Sequence, residues 1–226
     1  MSNSVQSVWI PPVAAGISII PCYYFFAAKS AQQIGDPLPR MTVLQALSKG
    51  VKSAPSPGTA VGVQMILQDK VDQYCQTYFG EGLYSKFASS GLIGIATAIP
   101  LGIYNGQTMG YTMAHSFQRL SLKQIVAIST REVFSVSALA ISEPVCEAAK
   151  KTLGDNQVVK TGSAFATGMA GSFVGHFADA SFTRWQGNLT VDRLSQLTLG
   201  FKYRAMGLGC FTALYQFTKE NLSSPK

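Results

Sequence analysis

Long stretches of this chain carry no aspartate, glutamate, lysine or arginine, and this absence limits the fold more than any other feature. The three longest such stretches span residues 1–28, 87–118 and 161–178. A helix drawn from any of them could enter a bilayer without placing a lysine, arginine or carboxylate in the hydrocarbon. Shorter uncharged windows rich in glycine, serine, threonine and alanine cover residues 53–68, 133–142 and 205–218. Small side chains of this kind are typical of helices that pack closely inside a membrane bundle.

Composition agrees with a membrane protein. Of the 226 residues, 47% are hydrophobic and only 13% are charged, whereas a soluble domain carries about 25% charged residues. A disordered chain would carry more charge and fewer aromatic residues. The length is sufficient for six membrane-crossing helices of about 20 residues each with short connections.

Small residues recur before an anchor residue in three places, which indicates an internal repeat. The anchors are Pro21, Pro100 and Phe177, spaced by 79 and 77 residues. The small residues that precede them are Ala15 and Gly16, then Gly91 and Gly94, then Gly168 and Gly171. One structural unit therefore occurs three times along the chain.

Each unit contains a second apolar stretch. These stretches begin at Gly50, Gln124 and Gly200, spaced by 74 and 76 residues, and each runs into a polar, charged segment. Odd-numbered helices are predicted over residues 8–33, 87–112 and 164–187, and even-numbered helices over 49–71, 124–149 and 200–221. We expect an all-α membrane protein with six transmembrane helices in three pseudo-repeated pairs. Residues 1–226 would form a single membrane domain whose repeats span 1–78, 79–156 and 157–226.

In this six-helix topology the connections on the two sides of the bundle differ in net charge. The connections on one side, with the helix ends beside them, hold ten basic residues and two acidic ones: Lys29, Arg40, Lys49, Lys52, Arg119, Lys123, Arg184, Arg193, Lys202 and Arg204 against Asp36 and Asp192. Acidic and basic residues balance on the other side. Because basic loops stay on the side from which a protein is inserted, both termini are expected on the opposite face.

Several functional classes are not expected. The chain has no glycine-rich phosphate loop and no nucleophile motif, and two histidines leave little general-base capacity, so we expect no enzyme. The four cysteines have no paired spacing, which favours neither a metal site nor a disulfide framework. Basic residues do not form a run with interleaved aromatic residues, so nucleic acid is not an expected partner, and no cofactor is expected.

Two segments resemble known motifs. Residues 177–186 read FADASFTRWQ, which is similar to the signature of the mitochondrial carrier family, Pro-x-Asp/Glu-x-x-Lys/Arg followed by an arginine and a glutamine. Residues 130–134, TREVF, resemble the Arg-Glu-Val-Pro stretch of that family. Through the repeats the resemblance covers nearly the whole chain, although no motif is intact. It implies a shortened, degenerate member with a carrier-like bundle of six helices.

In the family, the signature supplies salt bridges and proline kinks that close one end of the transport path. The resemblance gives these gate roles to Pro21, Pro100, Asp179, Arg184 and Gln186. The other two acid positions hold Tyr23 and Gly102, and the cation positions hold Phe26, Asn105 and Phe182. We therefore expect no complete ionic gate, and a plug of Tyr23, Asn105 and Phe182 in its place.

In the family, the residues that contact the substrate lie seven and eight positions after the start of each even-numbered helix. These offsets give a substrate-binding set of Pro57, Gly58, Arg131, Glu132, Gly207 and Leu208. Arg131 would hold a carboxylate and Glu132 an ammonium, as in carriers of amino acids and related zwitterions. The alternative is structural: adjacent helix residues point about 100° apart, so each of the two could satisfy a different neighbouring helix.

Two functions follow from the resemblance. The first is secondary transport of a small metabolite by alternating access, in a mitochondrial membrane, with the inner favoured over the outer. The second is a carrier-derived scaffold or adaptor that no longer transports and binds a protein partner. In either case Lys49, Gly50 and Gly200 could bind anionic lipid headgroups, such as cardiolipin, at helix N-termini.

Overall fold

The computed structural model describes residues 2–154 and 156–223, and this part of the chain is all-helical with no β-strand. The helices are α1 (Ser2–Ile34), α2 (Val43–Ser53), α3 (Pro55–Phe79), α4 (Leu83–Thr108), α5 (Met113–Gln118), α6 (Leu122–Leu153), α7 (Gln157–Val174), α8 (His176–Gln186) and α9 (Phe201–Ser223), with a 3-10 helix at Leu194–Thr198. The all-α prediction is confirmed.

The long helices form a closed ring. Along the chain α1 packs against α3, α3 against α4, α4 against α6, α6 against α7 and α7 against α9. The ring closes because α9 also packs against α1. Short α5 lies against α4, and α8 lies against α6 and α1. This arrangement leaves a central space that every long segment borders.

Local signals explain where many of the helices begin and end. Thr42 and Ser121 form capping boxes at α2 and α6, each with the glutamine three residues later. The Asn156 side chain accepts a hydrogen bond from a backbone amide in the first turn of α7. Gly80 and Gly154 end α3 and α6 with φ of 71° and 93°, a conformation that disfavours any residue with a Cβ atom.

All six predicted segments are helical, but two of them are broken. The first even segment consists of α2 and α3, which meet at Ala54 because Pro55 has no amide hydrogen to continue the ladder of α2. The third odd segment consists of α7 and α8, which meet at Gly175. Pro21 and Pro100, by contrast, lie inside the unbroken helices α1 and α4. Short α5 was not predicted.

Two helices are long and apolar enough to cross a membrane, α1 over Trp9–Ile34 and α4 over Phe87–Thr108. In the described part of the chain, the other long helices do not pass this test of length and hydropathy. Two of them carry buried charged residues, Arg131 in α6 and Arg204 in α9, which lower their mean hydropathy. The structure thus shows two candidate spans out of the predicted six.

The loop-charge prediction needs a correction. Lys29, Arg184 and Arg204 lie in helices with 2%, 8% and 2% of their surface exposed, so they are interior residues and not loop charges. Seven basic residues remain at that end: Arg40, Lys49, Lys52, Arg119, Lys123, Arg193 and Lys202. Against Asp36 and Asp192 they still give that end a positive charge.

Gly50 and Gly200, which the sequence predicts as lipid-binding residues, pack against α1. Gly50 lies inside α2 and not at a helix N-terminus, so its amide belongs to the helix ladder. A Cβ atom there would lie 2.5 Å from the carbonyl oxygen of Ile20. Gly200, with φ of 77°, would place a Cβ atom 2.7 Å from the carbonyl oxygen of Lys29. Lys49 remains exposed beside Gly50.

A matched pair of substitutions tests this packing. Gly50→Ala should lower the free energy of unfolding by about 1–3 kcal/mol, because the new methyl group meets the α1 backbone. Gly16→Ala is the control, since its Cβ atom would lie 3.7 Å from the nearest atom, the Ala54 oxygen. It should leave stability unchanged or raise it by up to about 1 kcal/mol. Thermal melting of the two variants in detergent measures the difference, and equal melting temperatures would contradict it.

Candidate functional site

A cavity of about 150 Å³ lies at the centre of the helix ring. Its lining comes from one stripe of each long segment, with spacings of three and four residues that place side chains on one helix face. On α4 the stripe includes Thr97, Leu101, Tyr104 and Thr108. On α9 it is Arg204, Leu208, Phe211 and Thr212, and on α3 it is Pro57, Ala60, Val61 and Gln64.

A single carboxylate, that of Asp179, lies at the centre of a group of buried cations. The Lys29 ammonium is 3.1 Å from its Oδ2 atom. Nη1 of Arg131 is 2.9 Å from its Oδ1 atom, and Nε of Arg204 is 3.7 Å from Oδ2. These residues come from α1, α6, α8 and α9. Asp179 therefore joins four helices through one side chain.

We call Lys29, Arg131, Glu132, Asp179 and Arg204 the charge cluster. Asp179 is 1% exposed and Lys29 and Arg204 are each 2% exposed. Removing such ions from water costs several kcal/mol each unless partners compensate. Arg204 gains a further partner in the backbone oxygen of Ser172, which accepts from Nη1 at 2.6 Å.

Glu132 is bound to its neighbour in sequence. Nε of Arg131 donates to Oε1 of Glu132 at 2.6 Å, while the guanidinium also reaches Asp179. The pair thus lies at the cavity wall, where the sequence placed it, but its two charges face one another. The sequence also allows a structural alternative, in which each residue pairs with a neighbouring helix. Arg131 fits that alternative, because it forms an ion pair with Asp179 on α8.

A layer of buried amides lies next to the charge cluster. Gln33, Asn105 and Gln186 form this amide layer, with exposures of 0%, 3% and 0%. Asn105 accepts from Lys29 at 2.8 Å and donates to Gln186 at 2.9 Å, and Gln186 donates to the Gly102 oxygen at 3.0 Å. Gln33 donates to Asp179 at 3.0 Å. Asn105 lines the cavity, whereas Gln33 and Gln186 do not, so the layer extends from the cavity wall toward the end of α1.

The expected plug is only partly formed. Asn105 lies in the amide layer, as described above. Phe182 instead packs in an apolar core with Ala98, Ala127 and Ile128. Tyr23 donates its hydroxyl to the backbone oxygen of Gln107 at 2.9 Å. The sequence predicts Tyr23, Asn105 and Phe182 at the centre of the bundle. In the structure the centre holds the charge cluster around Asp179.

Four of the six predicted substrate-binding residues line the cavity: Pro57, Arg131, Glu132 and Leu208. The other two face neighbouring helices. A Cβ atom at Gly58 would lie 3.2 Å from the backbone oxygen of Pro12, and one at Gly207 would lie 3.2 Å from Phe25. These glycines therefore allow α3 and α9 to approach α1.

Among the predicted gate residues, Asp179 and Gln186 belong to the buried polar interior described above. Arg184 is also buried, and it donates to the backbone oxygens of Gln33 at 3.0 Å and Thr190 at 2.9 Å. It thus fastens the connection after α8 to the end of α1. Pro21 is exposed and Pro100 is half-buried, so neither lies in the charge cluster.

Sequence reasoning missed Lys29 and Arg204 because it counted both as loop charge. A signal was present, since each lies inside a predicted helix, residues 8–33 and 200–221. A charge inside a helix that is expected in a membrane needs a partner. Tyr104 was also missed: it is 8% exposed, it lines the cavity, and its hydroxyl has no hydrogen-bond partner among the described residues.

Comparison of the chain with protein-family models, with curated proteins and with solved structures finds no match. Among the described residues, no group of three or more histidine, cysteine, aspartate or glutamate side chains is placed to hold a metal ion. The chemistry of the site is that of ion pairs and amides around a small cavity.

Removal of the shared carboxylate tests the charge cluster. Asp179→Asn should lower the free energy of unfolding by about 3–5 kcal/mol, because three buried cations lose the negative charge that they share. Asp192→Asn is the matched control, since Asp192 is exposed in the connection after α8, and it should stay within about 0.5 kcal/mol of the original protein. Thermal melting followed by tryptophan fluorescence measures both.

A double variant separates charge from packing. Adding Lys29→Met to Asp179→Asn should recover part of the lost stability, because one uncompensated cation is removed. Equal melting temperatures for Asp179→Asn and Asp192→Asn would contradict the central role of the carboxylate.

Proposed function

We propose that the protein is a membrane transporter of a small metabolite, built from six transmembrane helices and working by alternating access. The observation that carries this proposal is the closed ring of long helices around a cavity that has a buried charge cluster on its wall. A cavity bordered by every long segment is reshaped when any of them moves. Buried charged groups on the wall of such a cavity are typical of residues that bind a substrate or close a transport path.

The outer surface supports a membrane location. Large apolar side chains are exposed on the outside of the ring, among them Ile17, Ile66, Ile95, Val126, Phe173 and Phe217. The interior meanwhile holds the charge cluster and the amide layer. A soluble monomer rarely exposes extended apolar surface, whereas lipid is the solvent that an apolar exterior fits. The distribution favours a bilayer around the ring.

Helix length supports six spans. At 1.5 Å per residue, the 25 residues of α3 and the 23 residues of α9 reach about 35 Å. The hydrocarbon core is about 30 Å thick. The 32 residues of α6 and the combined α7 and α8 are also long enough. Some of their polar residues line the cavity, among them Gln64, Arg131 and Arg204, and these residues lower the mean hydropathy of α3, α6 and α9.

The charge cluster and the amide layer together suit a gate. They lie along α1 between Lys29 and Gln33, close to the end of the helix at Ile34. Opening that end would separate Asp179 from cations on other helices, and a bound substrate would have to offset the loss. Gly175 joins α7 to α8 next to the cluster, where a Cβ atom would lie 3.1 Å from Arg204.

The threefold sequence pattern supports a carrier-like ancestry, so we propose a mitochondrial membrane, with the inner favoured over the outer. Anionic lipids are the proposed partners of the positively charged loops. The structure gives less support to a zwitterionic substrate than the sequence did. It required Arg131 and Glu132 to face the substrate separately, and they bind one another.

A scaffold remains the second candidate, and one observation favours it. Every cation of the charge cluster has an acidic or backbone partner within the protein. The cluster could therefore hold four helices together without a substrate. In that case the protein would act through a protein partner at the membrane.

The six-span topology predicts the side of two short connections. Epitope tags after Glu81 and after Gly110 should lie on opposite faces, with the Glu81 tag on the face of the N-terminus. Both residues are exposed in connections next to α4. Protease protection in sealed vesicles, with a tag at the N-terminus as the control, measures the side of each tag.

A two-span protein gives the reverse pattern. If only α1 and α4 crossed the membrane, the Glu81 tag would lie opposite the N-terminus and the Gly110 tag beside it. That result would overturn the six-helix arrangement.

Transport is tested in liposomes that contain the purified protein. Uptake of at least one labelled solute from a panel of carboxylates, amino acids and nucleotides should exceed that of protein-free liposomes. Arg131→Gln should lower this uptake about tenfold or more, because a buried charged hydrogen-bond partner is lost at the cavity. Lys123→Gln, at an exposed residue near the start of α6, should leave uptake unchanged. Folded protein without uptake of any solute would favour the scaffold.

A further inference from the structure

The charges that line the cavity do not balance. Three basic side chains, Lys29, Arg131 and Arg204, stand against two acidic ones, Glu132 and Asp179. With all five ionised, the lining carries one net positive charge. A guest with one negative charge would neutralise it, whereas a zwitterion or a neutral guest would leave the excess and a dianion would reverse it. Low-dielectric surroundings make such an imbalance costly.

Away from the charge cluster the cavity is apolar. Aliphatic and aromatic side chains form most of the remaining lining, among them Ile19, Phe26, Val61, Leu101, Leu208 and Phe211. A guest with a hydrocarbon body would remove this surface from water. The cavity thus has a charged wall and an apolar wall, which matches a molecule with one polar end.

Tyr104 places an unused donor at the cavity. Its side chain is 8% exposed, and its hydroxyl has no hydrogen-bond partner among the described residues. The ring is held edge-on against Phe26, with centroids 5.8 Å apart. Buried hydroxyls usually find a partner. An anionic oxygen of a guest that reached this hydroxyl would accept its hydrogen bond.

Arg204 is the cation that Asp179 holds least closely. Its Nε atom is 3.7 Å from Oδ2, which is beyond hydrogen-bond distance, while Lys29 and Arg131 reach the carboxylate at 3.1 Å and 2.9 Å. A second carboxylate could approach Arg204 without first displacing Asp179 from its two closer partners.

The volume limits the guest. A cavity of about 150 Å³ matches one that holds a single benzene molecule, so the guest has about six to eight non-hydrogen atoms. A nucleotide is far larger than this. A short carboxylic acid is of the right size.

We propose that the cavity binds a small monocarboxylate with a short hydrocarbon body. Its carboxylate lies at Arg204 and the Tyr104 hydroxyl, and its hydrocarbon lies against Phe26 and Phe211. This inference rests on the proposed function, because it names the substrate class of the same cavity. Tyr104 is the residue that distinguishes a carboxylate from a purely apolar guest.

Five probes that share one branched hydrocarbon body test the charge requirement. They are isovalerate, isovaleramide, isopentylamine, leucine and isobutylmalonate, which are an anion, a neutral amide, a cation, a zwitterion and a dianion. Calorimetric titration of the purified protein in detergent should show isovalerate binding about tenfold or more tightly than isovaleramide and isopentylamine, which match it in size and so isolate the effect of charge. Leucine and isobutylmalonate should also bind more weakly, because both their charge and their larger size are unfavourable. A ligand of the folded state should also raise the melting temperature.

Two variants test the residues. Tyr104→Phe should weaken isovalerate about tenfold, the effect of one hydrogen bond to a charged group, and should leave isovaleramide unchanged. Tyr24→Phe is the matched control, since Tyr24 lies outside the cavity lining, and it should bind as the original protein does. Glu132→Gln should not weaken isovalerate, because it removes a competing negative charge. A zwitterion held by Glu132 would lose affinity in that variant.

The outcomes separate this inference from the transport proposal. Binding of isovalerate with the expected pattern, but without uptake into liposomes, would support the monocarboxylate site and count against transport. Tight binding and uptake of leucine or isobutylmalonate in place of isovalerate would overturn the monocarboxylate and leave transport standing. Equal binding of isovalerate and isovaleramide, or binding of none of the five probes, would also overturn the inference.

Discussion

The carboxylate of Asp179 is shared by three cations, and the helix ring is organised around that sharing. Lys29, Arg131 and Arg204 come from three different helices, and all three share Asp179 as an acidic partner. Without it, Arg131 would keep Glu132, but Lys29 and Arg204 would lose the only acidic group within 4 Å among the described residues. Because ions taken out of water cost several kcal/mol each, removal of the one acid affects all of them together. The amide layer then supplies hydrogen bonds where ion pairs alone would leave donors unsatisfied. A single acid can therefore hold together elements that are far apart in the sequence.

Glycine makes this arrangement sterically feasible. Gly50 and Gly200 bring α2 and the start of α9 against the backbone of α1, where any larger side chain would collide. Close backbone approach at these points brings Arg204, one turn after Gly200, close to Lys29. The ion pairs of the charge cluster therefore depend on these glycines, because the helices must approach this closely for the charged groups to meet.

The sequence predicts most of the helical segments, but it does not predict the charge cluster. Absence of charge and the threefold spacing give the helical segments, and the offset from Gly50, Gln124 and Gly200 locates Pro57, Arg131, Glu132 and Leu208 at the cavity. The breaks at Ala54 and Gly175 were missed because hydropathy patterns average over such local features. Lys29 and Arg204 were misplaced because spacing along one chain does not show what lies across a bundle. Their partner is 150 residues away from Lys29 and is brought to it only by the closed ring.

The order of the helices along the chain has a consequence for how the protein is made. Lys29 lies near the end of α1 and Arg131 lies in α6, but their shared acid is made only with α8, 150 residues after Lys29 and 48 after Arg131. In the bilayer location that we propose, both cations must be kept from bare hydrocarbon until then, beside water, headgroups or an assisting protein. A chain that stopped after the second repeat would hold two helices with interior cations and lack Asp179. If the ring lies in a bilayer as proposed, its release into lipid is thereby tied to the synthesis of α8.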